Sequence, residues 1–588
     1  MRRPSLAALF AAHARERPDA VAVRFVGAPT TYGGLDRWSD AIARALAEAG
    51  VERGDLVGAA LTRSPAVLAA IVAFRKLGAP YVALDPDVPL RRNLQIARDA
   101  SPRFLLAEPG LEAVPVLPDA ATVAVPAPPP RPVEPVEPAH EDDQDLFQVV
   151  YTSGTTGAPK GVLVPVGAVR NRLEWMWKDY PFGSGAVLGI QKSYALVAAF
   201  WELLGGLLQG IPSVLLRREE VLDPELFVET ILRERVTHLY LTPVLVEALV
   251  DACGHPDEPL PLRLVTNGAD TLRPALARRF RAAFPRTTLL NLYGLTECSS
   301  NVAAFDVEQL TQDAIRVPVG RPVAGASIDV VDRAGRIAPV GVAGEILVAG
   351  PPLAAGYLGD AELTGSRFAE RPDGRVWFRS GDAGRWLPSG DLELVGRLDN
   401  QVKVRGYRVE LEEIEAVLAT APSVAAAAVG AEPDEGGDIA LTAYVESGDG
   451  LDAQAVRTFL RERLPEFMVP ASVRPIVALP RSANGKVDRR ALAALGGLSR
   501  VEAAPPLVER RELTPTQARV AEIWGELLGV EPSDLDEDFF DAGGHSILAV
   551  RLVGRLREAF GRELSLRAVF ERATVAGIAA ALEARASS

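Results

Sequence analysis

Tyr151-Thr-Ser-Gly-Thr-Thr-Gly-Ala-Pro-Lys160-Gly161 follows the mostly apolar run Leu146–Val150 and is the stretch on which the fold reading turns. It sets Thr152, Ser153, Thr155 and Thr156 among glycines, with Lys160 near its end. Glycines allow close backbone approach to a ligand, while hydroxyls and free amide N–H groups can wrap phosphate oxygens. No Gly-Lys pair here is followed by Ser or Thr at the spacing of a Walker A loop. Taken alone, a Ser/Thr/Gly segment reads equally well as a plain turn, so the remainder of the chain must decide.

Outward from this loop, the chain alternates helical and strand-like patterns. Leu35–Leu46 stands against Leu56–Leu61 and Tyr81–Leu84, and the alternation resumes from Leu146 to about Leu398, which predicts α/β layers. The Pro-rich stretch Val125–Pro138 cannot sit inside a sheet and reads as a surface connector. A compact segment with its own strand and helix signals follows Arg397-Leu-Asp399 and ends near Ala494. Gly496–Glu512 is linker-like, and residues 513–583 carry helical patterns. At 588 residues several domains are expected. The expected division is a core domain at 1–398, a small α+β subdomain at 399–495, a linker at 496–512 and a helical-bundle domain at 513–583.

Composition excludes several classes. The 48% hydrophobic and 24% charged content suits a globular protein, and a net charge of -14 argues against non-specific nucleic-acid binding. Cys253 and Cys298 are the only cysteines, so neither a disulfide framework nor a cysteine metal cluster is expected. The N-terminal apolar piece is broken by His13 and Arg15 and reads as an amphipathic helix, not a signal peptide. No apolar run reaches membrane-spanning length, and a cytoplasmic location without membrane partners is expected.

Further motifs occur in a fixed order. They are Leu77-Gly-Ala-Pro-Tyr-Val-Ala-Leu-Asp85, Asn291-Leu-Tyr-Gly-Leu-Thr-Glu297, and Gly344-Glu345 with Gly356-Tyr-Leu358. Phe378-Arg-Ser-Gly-Asp382, Gly396–Arg408, Leu464–Pro470 and Asn484-Gly-Lys486 follow. Together with Tyr151–Gly161 they resemble the adenylation domain of nonribosomal peptide synthetases, within the acyl-adenylate-forming superfamily. Asp538-Phe-Phe-Asp-Ala-Gly-Gly-His-Ser546-Ile-Leu resembles the site of a peptidyl carrier domain. The resemblance spans about Thr31 to Glu583.

The resemblance implies an acid–carrier-protein ligase that uses ATP, Mg2+ and 4'-phosphopantetheine. Joining a carboxylate to the ATP α-phosphate brings two anions together, so positive charge and aligned donors are the main requirement. By resemblance Lys486 is the catalytic lysine, touching both carboxylate and α-phosphate. Thr152, Ser153, Thr155, Thr156 and Lys160 would cradle the departing phosphates, and Tyr293 would stack on adenine. Thr296 belongs to the same nucleotide site, Asp382 would accept the ribose hydroxyls, and Arg397 is the matching ribose or phosphate contact. Glu297 is similar to the family's magnesium-binding glutamate. Asp399 occupies the family's hinge position, where the small domain rotates between the two half-reactions. Ser546 is the implied phosphopantetheine attachment point; by position alone it is a helix N-cap, ahead of a helix with Leu548, Leu552, Leu556 and Phe560 on one face.

Three departures from the family pattern stand out: Leu295 replaces a usual Pro, Ser380 a common Thr, and Leu196-Val197 a Phe-Asp pair. The substrate pocket, transferred by anchoring on neighbouring motifs, comprises Val197, Ala198, Trp201, Tyr240, Val265, Asn267, Leu292, Ser300 and Asn301. None is acidic. Leaving a substrate ammonium buried and unpaired costs roughly 3–5 kcal/mol, which disfavours a plain α-amino acid. The expected substrate is a small carboxylic acid without a free α-amine: a 2-hydroxy, 2-keto, or amide- or urea-bearing acid. A β-amino acid is the alternative, since such pockets also have Val, Trp and Leu at the positions of Val197, Trp201 and Leu292. Their Asp next to the Val is Ala198 here. An ordinary amino acid also remains open.

No condensation signature, thioesterase elbow or dinucleotide fingerprint is found. A loading or stand-alone module is therefore expected, served by a phosphopantetheinyl transferase, passing its acyl group to a downstream condensation or tailoring enzyme, with a small helper protein as a possible partner. An acyl-CoA synthetase-like ligase is the competing enzyme class, and Ser546 discriminates, because a free-CoA enzyme needs no carrier. A carrier scaffold with a decayed adenylation domain is a third class, against which Lys486, Glu297, Asp382 and the phosphate loop argue.

Overall fold

The computed structural model describes residues 3–584 apart from 112–116, 118, 132, 155–157, 254–258, 400, 405, 423, 434–438, 447–450, 482–486, 488, 490, 493–512, 529–530, 533, 540–541, 543, 545, 562–563, 565–567 and 570–571. The chain forms two compact units. One comprises 1–217, 228–413 and 462–467; the other comprises 218–227, 414–461 and 468–588.

The first unit is layered α/β. Its six-stranded sheet runs Ala121–Ala124, Phe104–Ala107, Val57–Ala60, Tyr81–Ala83, Leu146–Thr152, Lys160–Pro165. Pairing is parallel up to Leu146–Thr152, which turns back antiparallel onto Lys160–Pro165. The Ser/Thr/Gly stretch is the connection between these last two strands. Gly154 is required there, because a Cβ would overlap the Ala158 carbonyl oxygen. The expected strands and helix around Leu35–Leu84 appear as Tyr32–Glu48, Val57–Ala60 and Tyr81–Ala83.

A nine-stranded sheet holds the other half of the core. Its parallel centre includes Leu188–Ile190, His238–Leu241, Leu264–Asn267 and Thr288–Leu295, and Ser300–Asp306 returns antiparallel at one side. One cluster of buried apolar side chains runs from both sheets into Leu6–Glu16, Tyr32–Glu48 and Pro65–Leu77. Pro65–Leu77 is apolar around most of its circumference and is buried almost throughout, as a helix between layers must be. The first helix, Leu6–Glu16, is capped by the Ser5 hydroxyl, which accepts from the Ala8 amide.

A five-stranded antiparallel sheet completes this unit, pairing Val376–Trp386 with Gly344–Ala349, Phe368–Glu370 and Leu392–Arg397. Its register sets Asp382 directly across from Arg397. The hairpin Gln401–Val404 with Tyr407–Glu410 follows.

The second unit contains a three-stranded sheet of Ala426–Pro433, Ile439–Glu446 and Ser472–Ile476, with the helix Ala453–Arg461. It also contains the helices Pro515–Leu528, Ser546–Phe560 and Val575–Ala584. Trp524 packs edge-on against Phe539 at 5.0 Å, beside Leu552, Leu556, Ile578 and Leu582. Of the stripe read from the sequence, Leu552 and Leu556 are fully buried, while Leu548 and Phe560 pack at the margin of the same core. Among the described residues no helix is long and apolar enough to cross a membrane.

Candidate active site

The site grows from the turn after Leu146–Thr152. The Ser153 hydroxyl donates to the Arg408 carbonyl at 2.9 Å, and the Gly154 amide donates to Glu413 Oε2 at 3.0 Å. Arg92 donates to the other oxygen of Glu413, so the loop is anchored through a buried ion pair. Thr152 ends its strand opposite Lys160. Burial lowers the Lys160 pKa, and Glu410 and Glu297 pull in the opposite direction. Thr155, Thr156 and Lys486 lie outside the described residues; next to Lys486, Arg481 and Val487 are paired antiparallel.

The segment Gly356–Leu358 zips onto the strand after the loop. The Leu358 amide donates to the Gly161 carbonyl at 2.7 Å and the Leu163 amide to the Gly356 carbonyl at 2.9 Å. This carries Tyr357 to Glu297, to whose Oε1 its hydroxyl donates at 2.9 Å. Arg408 donates to Glu297 Oε2 at 3.0 Å. Burial raises the Glu297 carboxyl, but Arg408, Tyr357 and Lys160 outweigh it and hold the pKa below the usual value. A buried carboxylate whose ionised form is favoured is the hard oxygen donor a magnesium ion takes from protein when waters and phosphates complete its shell, so Glu297 fits that role. Thr296 opens the short 3-10 turn Thr296–Cys298 that presents it.

On the neighbouring strands the Tyr293 hydroxyl donates to Asp382 Oδ2 at 2.6 Å, and Arg397 donates to Asp382 Oδ1 at 2.5 Å. Arg397 also forks onto both oxygens of Asp399, each at 2.6 Å. Burial works against the ionised Asp399, yet Arg397 holds its pKa below the usual value. Ser380, in place of the common Thr, donates to the Ile346 carbonyl at 2.6 Å and accepts from the Asp382 amide.

The expected pocket residues fall on adjacent strands and on the turn after Leu188–Ile190. Tyr240, Val265, Asn267, Leu292, Ser300 and Asn301 are buried, as are Val197 and Trp201. Ala198 is half-buried. Trp201 opens a π-helix, Trp201–Gly205, a rare geometry that recurs at functional sites. Ser300 sits at φ 127, backbone strain of a kind that clusters at binding sites. Gly268 leaves room for the Tyr240 hydroxyl, which a Cβ there would overlap. Asn301 Nδ2 reaches that hydroxyl at 3.5 Å, and the Ser300 hydroxyl donates to Asn301 Oδ1 at 3.1 Å. Asn291 donates to the Pro318 carbonyl, so its Oδ1 accepts from Asn267 Nδ2 at 3.0 Å. That chain leaves Asn267 Oδ1 buried without a donor among the described residues.

Sequence reasoning gave no role to Arg408, Tyr357, Glu413 or Arg92. Arg408 and Tyr357 stand inside the quoted motifs, where a charged or phenolic residue in a glycine-rich run was the available signal. Glu413 and Arg92 carry no local signal, because their pairing joins positions distant in sequence.

Comparison with known proteins defines the class. Residues 10–358 match the AMP-binding enzyme family, residues 413–486 the AMP-binding enzyme C-terminal domain, and residues 518–582 the phosphopantetheine attachment site. The chain belongs to the AMP-binding enzymes, the adenylate-forming ligases. Within that family it is an adenylation unit followed by a carrier domain, as in nonribosomal peptide synthetases. It is 36% identical to a dimodular nonribosomal peptide synthase of Bacillus subtilis over 596 residues, which is 98% of this chain and 25% of the relative. It is 37% identical to phosphinothricin tripeptide synthetase PhsB of Streptomyces viridochromogenes, over 98% of this chain and 49% of the relative. The chain thus spans half or less of the length of these curated relatives. The solved holo-PA1221, a nonribosomal peptide synthetase protein with adenylation and carrier domains bound to a vinylsulfonamide inhibitor, superposes with a TM-score of 0.81. It is 27% identical, with 99% of this chain and 97% of that chain covered.

Proposed function

We propose that this chain activates a small carboxylic acid lacking a free α-amine as its acyl-adenylate and loads it onto its own carrier domain. In the first half-reaction the acid's carboxylate oxygen bonds to the ATP α-phosphorus and pyrophosphate leaves. Lys486 neutralises the approaching anions, Ser153, Gly154 and Lys160 hold the departing phosphates, and Asp382 with Arg397 holds the ribose. Glu297 would hold the magnesium ion, which supplies charge neutralisation for the phosphates. A phosphopantetheine on Ser546 supplies the thiol that accepts the acyl group as AMP leaves. A phosphopantetheinyl transferase must prime Ser546, and a downstream condensation or tailoring enzyme must take the product.

That none of the nine expected wall residues is acidic carries the substrate reading. Val197 stands 9% exposed where an ammonium-pairing acid would be needed. Glu202, next to Trp201, is buried: its Oε2 accepts from the amides of Gln191 and Lys192, its Oε1 has no hydrogen-bond partner among the described residues, and burial raises its pKa against the pull of Lys192. The unpartnered Asn267 Oδ1 calls for a hydrogen-bond donor on the ligand. A hydroxyl or amide N–H satisfies it and a ketone does not, which favours 2-hydroxy and amide- or urea-bearing acids over 2-keto acids.

ATP–pyrophosphate exchange across hydroxy, keto, α-amino and β-amino acids tests the substrate; strong exchange with common α-amino acids alone sinks it. Intact mass of the primed protein reads the loading step. Ser546→Ala is expected to abolish covalent loading while leaving exchange intact. A variant that still loads would shift the reading toward transfer to free CoA.

A further inference from the structure

Arg172 is an anomaly in the first unit. It lies on the helix Val166–Asp179, is 2% exposed, and its Nε, Nη1 and Nη2 are all buried without a hydrogen-bond partner among the described residues. A guanidinium offers five N–H donors, and burying them unpaired is among the most costly arrangements a side chain can adopt. Its only described companions are π faces and a phenol. The guanidinium carbon is 4.8 Å from the Trp175 ring centroid and 5.9 Å from that of Trp201. Phe182 stacks on Trp201 at 5.3 Å with an interplanar angle of 3°. These contacts fix the position of the charge but satisfy none of its donors.

Trp201 is a wall of the substrate pocket, and Arg172 acts electrostatically on a second wall, Tyr240. Lys192 adds another positive charge, with Nζ 4.4 Å from the Tyr240 ring centroid. Burial lowers the Arg172 pKa to about 10, which still leaves it charged at neutral pH. The Tyr240 hydroxyl accepts the long 3.5 Å contact from Asn301 Nδ2.

We propose that Arg172 is a specificity-determining residue that pairs with a second carboxylate at the far end of the substrate, making the preferred ligand a dicarboxylic acid. The proposal rests on the pocket reading above and extends it from the head of the acid to its tail. A carboxylate is the acceptor that matches a planar guanidinium with two parallel hydrogen bonds, and charge on both partners makes such pairs the strong ones.

The test uses the full chain, its Arg172→Met and Arg172→Lys variants, and four probes: 2-hydroxyglutarate, 2-hydroxypentanoate, glutamate and norvaline, with shorter and longer homologues. Within each pair the tail changes from carboxylate to methyl while the head is constant. For the unaltered chain, ATP–pyrophosphate exchange should favour the diacid in kcat/KM by about tenfold or more. Arg172→Met should erase that advantage mainly through KM, keep kcat for the monoacid, and leave the thermal midpoint unchanged or raised. Arg172→Lys should retain part of the preference. Equal or better exchange with the monoacid, or an undiminished diacid preference in Arg172→Met, overturns the proposal. So does a lowered thermal midpoint with equal loss on both tails, the mark of a purely structural arginine. The head comparison is independent: if the amino acids outrun the hydroxy acids, the amine-free reading fails, while glutamate against norvaline still tests Arg172.

Discussion

Val197 concentrates the chemistry of the proposed site into one side chain. Placing an acid there, Val197→Asp, should create exchange with α-amino acids and depress exchange with amine-free acids by about tenfold or more, because the new carboxylate pairs an ammonium and is stranded without one. Exchange assays on paired amino and hydroxy acids check this, and an unchanged substrate profile would move the pocket elsewhere. Tyr293 makes a second residue-scale case. Its hydroxyl donates to Asp382 at 2.6 Å, sharing that carboxylate with Arg397. Tyr293→Phe removes a hydrogen bond of about 1 kcal/mol that orients the ribose acceptor, and KM for ATP should rise about fivefold. Most residues of the proposed site could be named from the sequence because their motifs are local in it. Arg408 on Glu297 was not, since a pairing between residues so far apart in the chain exists only after folding.

Strands and helices place these groups, and their stability carries a pH signature. His238 heads the strand His238–Leu241, is 4% exposed, and sits edge-on to Phe182 at 5.0 Å. Burial, with a contribution from Arg263, lowers its pKa from 6.5 to about 4. The folded chain therefore rejects a proton that the unfolded chain accepts. The contribution is fully present above the unfolded value and is lost as pH falls from 6.5 toward about 4, for a total of about 3 kcal/mol. His238→Gln should flatten that part of the stability profile, measured as the denaturant midpoint across the same range. At this scale the alternation of strand and helix was readable from apolar periodicity, and the helix Pro65–Leu77 from its unbroken apolar run. The pairing order of the sheets was not, because neighbouring strands such as Val21–Phe25 and Ser213–Leu215 are far apart in sequence.

In the whole molecule, the proposed function has two chemistries share one pocket, and we propose Asp399 as the hinge between them. Asp399→Pro fixes a backbone angle and removes an amide donor, so it should restrict rotation there. The expected outcome is adenylation near the level of the unaltered chain with covalent loading reduced at least tenfold, read by exchange and by intact mass. Equal loss of both half-reactions would instead place Asp399 in the nucleotide site through its fork from Arg397.

The sequence by itself determined the class of this protein, since the phosphate loop at Tyr151–Gly161 and its companion motifs are contiguous stretches whose residue types follow from the charge they must handle. Within the proposed pocket it sets Val197 where the family pattern has an acid. Only the tertiary structure decided which of those groups are already paired and which are not. Glu297 is met by Arg408 and Tyr357, while Asn267 Oδ1 and the Arg172 guanidinium are left without hydrogen-bond partners among the described residues. Hydrogen-bond satisfaction is a property of side chains brought together from distant strands, and no local pattern encodes it.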